Sequence, residues 1–194
     1  FEKAILDFSK LIEQAPEFGT AYGHRGDCYR KLGKMELALE DFNKAIELNP
    51  NEILAFANRG MTHRSLGNFD MALDDLSKAI DLNPQNNGLS YSNRGVIYID
   101  QKNYQRAIED FSKAVEINPN FASGYANRAA AYYYNQEYDK SWDDLRKAEM
   151  LGIPLNQTLI EKLRQVAPEG EQKYMKNLES DNQLPNKGKQ IIAE

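Results

Sequence analysis

Along this chain apolar side chains recur at steps of three and four residues, in short segments, which is the period of helices that bury one face. Three segments are near copies of one another: LALEDFNKAIELNP ending at Pro50, MALDDLSKAIDLNP ending at Pro84 and RAIEDFSKAVEINP ending at Pro119. The Asn-Pro that closes them recurs at spacings of 34 and 35 residues, a period that marks an array of stacked units. KAILDFSKLIEQAP, ending at Pro16, is the same segment without its companion.

Between these segments runs a second repeat: AYGHRGDCY from Ala21, AFANRGMTH from Ala55, SYSNRGVIY from Ser90 and GYANRAAAY from Gly124. Each unit therefore predicts two amphipathic helices. Gly33 or Gly67 falls at the turn between them, and proline, which lacks the N–H a helix needs, stops the second.

This register resembles the tetratricopeptide-repeat (TPR) family. Its unit of about 34 residues asks for a large residue at position four, a small one at eight and an aromatic at eleven, then alanine, aromatic, alanine and proline at twenty, twenty-four, twenty-seven and thirty-two. Unit one supplies Tyr22, Gly26, Tyr29, Ala38, Phe42, Ala45 and Pro50. Unit two supplies Phe56, Gly60, His63, Ala72, Leu76, Ala79 and Pro84, and unit three Tyr91, Gly95, Tyr98, Ala107, Phe111, Ala114 and Pro119. Unit four keeps Tyr125, Ala129, Tyr132, Leu145 and Ala148, with Ser141 where alanine is usual and Pro154 one place late. Such drift is expected of a terminal repeat, whose outer face has no neighbour to match.

The resemblance implies an all-α fold: a TPR α-solenoid in which antiparallel helix pairs form a right-handed superhelix, closed by a C-terminal capping helix. The chain divides accordingly into the second helix of a truncated repeat at 1–18, repeats at 19–52, 53–87, 88–121 and 122–155, a capping helix at 156–168 and a polar, flexible tail at 169–194. In the cap, Leu155, Leu159, Ile160, Leu163 and Val166 form the apolar face, and Thr158 with Glu161 fits a capping box. Within the tail, a short helix is expected near Tyr174–Leu178. The chain opens at Phe1, inside a unit and without an initiator methionine, so its native N-terminus is expected to lie upstream.

Charge narrows the function. A formal charge of -5 and a pI near 5.2 argue against non-specific binding to nucleic acid or anionic lipid, which needs a basic surface. No stretch approaches the ~18 apolar residues of a membrane span, so no membrane insertion is expected. The single Cys28 has no partner for an internal disulfide; this favours the cytoplasm and leaves the compartment open.

In a TPR stack the first helices line a concave surface, and positions two, five, six, nine, twelve and thirteen share one face. Position six reads His24, Asn58, Asn93 and Asn127, preceded by Gly23, Ala57, Ser92 and Ala126. Packed helices lie ~8–10 Å apart and an extended peptide advances ~3.3 Å per residue, so one asparagine per repeat meets about every third peptide residue. Each carboxamide offers a donor and an acceptor to a peptide group. The row resembles the asparagine ladder in the TPR domain of O-linked N-acetylglucosamine transferases, which implies capture of a backbone with little sequence preference. Nothing in the chain resembles the transferase domain. The competing reading is that asparagine is tolerated on a solvated helix or bonds to its neighbours.

The clamp that some TPR domains use for C-terminal tails of heat-shock chaperones requires Lys and Asn in one unit, Asn in the next, and Lys and Arg in the third. In one register those places hold Gly23, Asp27, Asn58, Leu89 and Asn93, and in the next Ala57, Met61, Asn93, Ser123 and Asn127. Only the central asparagine survives, which argues against chaperone tails as partners. The remaining face changes from Asp27, Arg30, Lys31 and Arg64 to Ile99, Tyr133 and Tyr134, predicting a partner charged at one end and apolar at the other. Tyr133 and Tyr134 either contact it or pack on the cap.

Arg25 with Asp41, Arg59 with Asp75, Arg94 with Asp110 and Arg128 with Asp144 recur with the fold. They are read as structural pairs worth ~0–1 kcal/mol each if exposed. His24 and Cys28 have the spacing of a metal pair or a Cys–His dyad, but no further His or Cys joins them within the unit. No catalytic residue, metal or cofactor is therefore expected. The chain reads as a scaffold or adaptor that holds a peptide or helix of a protein partner in its groove. The alternative is a structural or self-associating solenoid whose groove is filled by its own tail or by further repeats.

Overall fold

The computed structural model describes residues 1–154 and 156–173, and every regular element among them is helical. They form two compact units, one spanning Phe1–Asn118 and one beginning at Pro119. The first unit contains α1 (Glu2–Gln14), α2 (Gly19–Lys31), α3 (Met35–Leu48), α4 (Ile53–Ser65), α5 (Phe69–Leu82), α6 (Gly88–Asp100) and α7 (Tyr104–Ile117). Helix α2 packs on α3, α4 on α5 and α6 on α7, and the first helices of successive pairs, α2, α4 and α6, touch in turn.

Each pair turns through the same cap. The Gly33 N–H donates to the Arg30 carbonyl and the Lys34 N–H to the Tyr29 carbonyl, the two bonds that end a helix through a left-handed residue. Gly33 and Gly67 take φ of 75° and 78° there. The third repeat makes the turn with Lys102 at φ 59°, a place where no glycine signalled it.

The small and aromatic positions are one packing device. Phe42, Leu76 and Phe111 are fully buried with the alanines of their helices, and a Cβ placed on Gly95 would lie 2.9 Å from the Phe111 ring. Glycine on the first helix is therefore what admits the ring from the second.

The Arg–Asp pairs are more deeply set than recurrence alone suggested. Arg25, Arg59 and Arg94 each hold their aspartate through two nitrogens at 2.6–2.8 Å, and the aspartates are only 5–6% exposed. The third nitrogen reaches back to Ser9, Asn43 or Ser77 on the second helix of the preceding repeat. The ring at position four, Tyr22, Phe56 or Tyr91, lies 5.6–5.7 Å from the guanidinium, a favourable cation–π distance. Each arginine thus joins two helices of its own repeat and one of its neighbour.

The second unit holds α8 (Ala122–Tyr134), α9 (Tyr138–Met150) and α10 (Gln157–Val166). Arg128 grips Asp144 in the same way, and Gln136 makes the turn at φ 63°. The departures from the motif have a reason here: the Ser141 hydroxyl donates to the Ala129 carbonyl at 2.7 Å, a use that alanine lacks. Leu159, Ile160 and Leu163 of α10 close the core over Trp142 and Leu145.

Two expectations change in this unit. The N-cap of α10 is Asn156, whose side chain accepts from the Leu159 N–H at 3.3 Å; Thr158 lies inside the first turn, too late to cap it. Ordered structure also runs past 168, with residues 168–173 helical. The Trp142 indole N–H donates to the Ala167 carbonyl at 3.1 Å, and Gly170 lies so close to the same indole that a side chain there would collide with it. A buried tryptophan needs both an acceptor and a cover, and this polar stretch supplies them. The helix expected near Tyr174–Leu178, the rest of the tail and Leu155 lie outside the described residues.

Candidate peptide-binding face

Asn58 on α4 and Asn93 on α6 are half-buried, and neither side chain hydrogen-bonds to any of the described residues. Other asparagines of this unit serve the fold: Asn43 accepts from Arg59, and Asn87 and Asn103 cap α6 and α7. His24, at position six of the first repeat, is exposed and stacks on Phe8 with ring centroids 5.4 Å apart. Cys28 is turned into the core, so the His24–Cys28 spacing does not place both groups at the surface.

Between α2 and α4 opens a cavity of about 230 Å³ bounded by Thr20, His24, Asp27, Glu52, Leu54 and Asn58. Beside it, Asp27 pairs with Arg30 and with Lys31, each at 2.7 Å. Burial works against the charge on Asp27, but hydrogen bonds from Lys31 and Arg30 hold its carboxyl below the usual range. Arg64 pairs with Asp100 of the following repeat at 2.7 Å. The charges expected to meet a partner are thus largely matched to one another. The signal for the second pair was present, as opposite charges at positions twelve and thirteen of adjacent repeats.

Two residues of this face were not among the expected contacts, Leu89 having been weighed only as a place in the clamp. Leu54 and Leu89, at position two of consecutive repeats, are 58% and 59% exposed. Attention to position six passed over them, although position two belongs to the same face.

In the second unit Asn127 is also half-buried, with a side chain that bonds to none of the described residues. Tyr133 packs against the Trp142 cluster and lies 5.9 Å from Tyr138, which makes it part of the core. Tyr134 is 45% exposed, with the Lys162 ammonium 6.0 Å from its ring centroid. It borders a cavity of about 260 Å³ beside α10 with Ala130, Asn156 and Lys162. Among the described residues no group of three His, Cys, Asp or Glu side chains is placed to hold a metal, and no helix is long and apolar enough to cross a membrane.

Repeated helix hairpins that present unpaired carboxamides define a helical-repeat scaffold, a class that works by binding. The family model of the tetratricopeptide repeat matches residues 20–52, 53–86 and 89–121, and the chain belongs to that family. As a TPR chain it is a protein-interaction scaffold. Helices α8 and α9 follow the same plan beyond the matched residues. The fold is similar to a crystal structure of MamA, at 24% identity and TM-score 0.68 over 76% of this chain and 85% of that one. It is similar also to MamA from Desulfovibrio magneticus RS-1, at 19% identity and TM-score 0.68 over 77% and 84%. A third likeness is to PilF of Pseudomonas aeruginosa, at 20% identity and TM-score 0.77 over 92% and 83%. No curated protein matches the chain.

Proposed function

We propose that this TPR chain is an adaptor that holds an extended segment of a partner protein along the first helices of its repeats. Asn58 and Asn93 bond to the segment's backbone in the first unit, and Asn127 does the same on the face of the second. His24, Asp27, Arg30, Lys31 and Arg64 flank the contact, and Tyr134 offers an exposed ring, while Tyr133 acts through packing. The observation that carries this reading is that the three carboxamides are accessible and unpaired. A carboxamide spent on a neighbouring side chain would support the structural alternative instead.

The test uses the full chain as bait in cell extract beside a variant with Asn58, Asn93 and Asn127 all changed to Ala, with circular dichroism to confirm equal folding. A partner retained by the parent and lost by the variant, with hydrogen-exchange protection of α2, α4 and α6 in the complex, supports groove capture. Equal recovery by both baits overturns it and returns weight to a self-associating or tail-filled solenoid.

A further inference from the structure

We infer that the segment held by the first unit directs a lysine or arginine side chain into the cavity between α2 and α4. The inference rests on the groove reading above and adds to it a residue class at one position of the segment.

The cavity walls are of two kinds. Leu54, 58% exposed, and the buried Ala55 give an apolar side, suited to the methylene stem of a long cationic residue. Polar groups line the remainder: the Thr20 hydroxyl, the Asn58 carboxamide, the carboxylates of Asp27 and Glu52, and the imidazole of His24, whose ring is stacked on Phe8; no lysine or arginine is among the residues that bound it. Asp27 spends one oxygen on Arg30 and the other on Lys31. Glu52 accepts from the Asn49 carboxamide at 3.2 Å and forms no ion pair among the described residues. It is the lining charge left unmatched.

The alternatives fit worse. An acidic side chain or a C-terminal carboxylate would face Glu52 and Asp27, and like charges in a partly enclosed site repel. An apolar side chain would cover Glu52 and Asn58 without satisfying them, at the cost of unpaired polar groups. A cation satisfies both walls, and the net charge of -5 favours the approach of a basic segment.

The preference is local to one position. One repeat further, between α4 and α6, the equivalents of Thr20, Asp27 and Glu52 are Leu54, Met61 and Asn87, and Asn87 is committed to capping α6. Nothing there asks for a charge.

The experiment presents the full chain with an array of capped nonapeptides on an Ala/Ser background, each carrying Lys, Arg, Met, Gln or Glu at one scanned position. The readout is fluorescence anisotropy of the best binders. The expected result is one position at which Lys or Arg binds about tenfold more tightly than Met and more tightly still than Glu. Glu52→Gln erases that difference and Glu52→Lys inverts it in favour of Glu, with the helical fold of both variants retained by circular dichroism, whereas Asn93→Ala weakens every peptide alike. Binding without charge preference that Asn93→Ala still weakens overturns this inference and leaves the groove reading standing. A basic preference that survives Glu52→Gln places the cation elsewhere and also overturns it. If no peptide binds, both fall.

Discussion

Arg59 holds Asp75 with Nε at 2.8 Å and Nη2 at 2.6 Å, while its Nη1 lies 2.7 Å from the Asn43 side chain of the preceding repeat. One side chain therefore binds three helices. Hydrogen bonding to the partner aspartate raises the already high pKa of the equivalent guanidinium groups Arg25, Arg94 and Arg128. Asp75→Ala leaves Arg59 without its anion in a half-covered site and should cost about 2–3 kcal/mol. Asn43→Ala removes one exposed hydrogen bond and should cost about 0.5–1 kcal/mol. Urea denaturation of the two variants checks the order; equal losses would mean that the Arg–Asp pair carries no special weight.

Lys102 and Gln136 occupy the left-handed turn that Gly33 and Gly67 fill in the first two repeats. A side chain there crowds its own carbonyl, and the strain exceeds the extra freedom that glycine brings to the unfolded chain. Lys102→Gly and Gln136→Gly should each raise stability by about 0.5–1 kcal/mol, read as a higher midpoint of chemical denaturation. A lower midpoint would show that the turn tolerates the side chain at no cost.

His63 stands where an aromatic belongs and is 6% exposed. Burial pushes its imidazole below the ordinary 6.5, Asp75 pulls it part of the way back, and Arg59 pushes it down again. The unfolded chain then takes up the proton first, so this contribution is full above about pH 6.5 and declines as the pH falls below it. His63→Phe should flatten the melting temperature between about pH 7 and 5 relative to the parent; parallel curves would refute the assignment.

The Ser90 hydroxyl is buried with no hydrogen-bond partner among the described residues, at the place that Ala21 and Ala55 fill in the earlier repeats. Removing an unsatisfied buried group from a site that already fits alanine should be stabilising, so Ser90→Ala is expected to gain about 1 kcal/mol. Thermal unfolding monitored by circular dichroism decides it, and a loss would point to a bridging water.

Much of this architecture was legible because a repeat states its rule several times. Gly95 and Phe111, sixteen residues apart, are meaningful together only because Gly26 with Phe42 says the same, and the structure makes the reason a ring that a Cβ would strike. Asn58, Asn93 and Asn127 were found by the same comparison. Arg64 and Asp100 were not, since their pairing belongs to one junction between repeats and recurs nowhere else in the pattern.

From the sequence alone came the all-α repeat, its register, the turns at Gly33 and Gly67 and the row of position-six side chains, because each follows from local helix periodicity and from a spacing that repeats. Tertiary structure decided what those side chains meet. That Arg64 meets Asp100 of the next repeat, that Tyr133 joins a core and Tyr134 stays exposed, and that Trp142 draws residues 167–170 onto itself are matters of distance between segments. Periodicity assigns a residue to a face; only packing settles which neighbours share it and which charges are already answered.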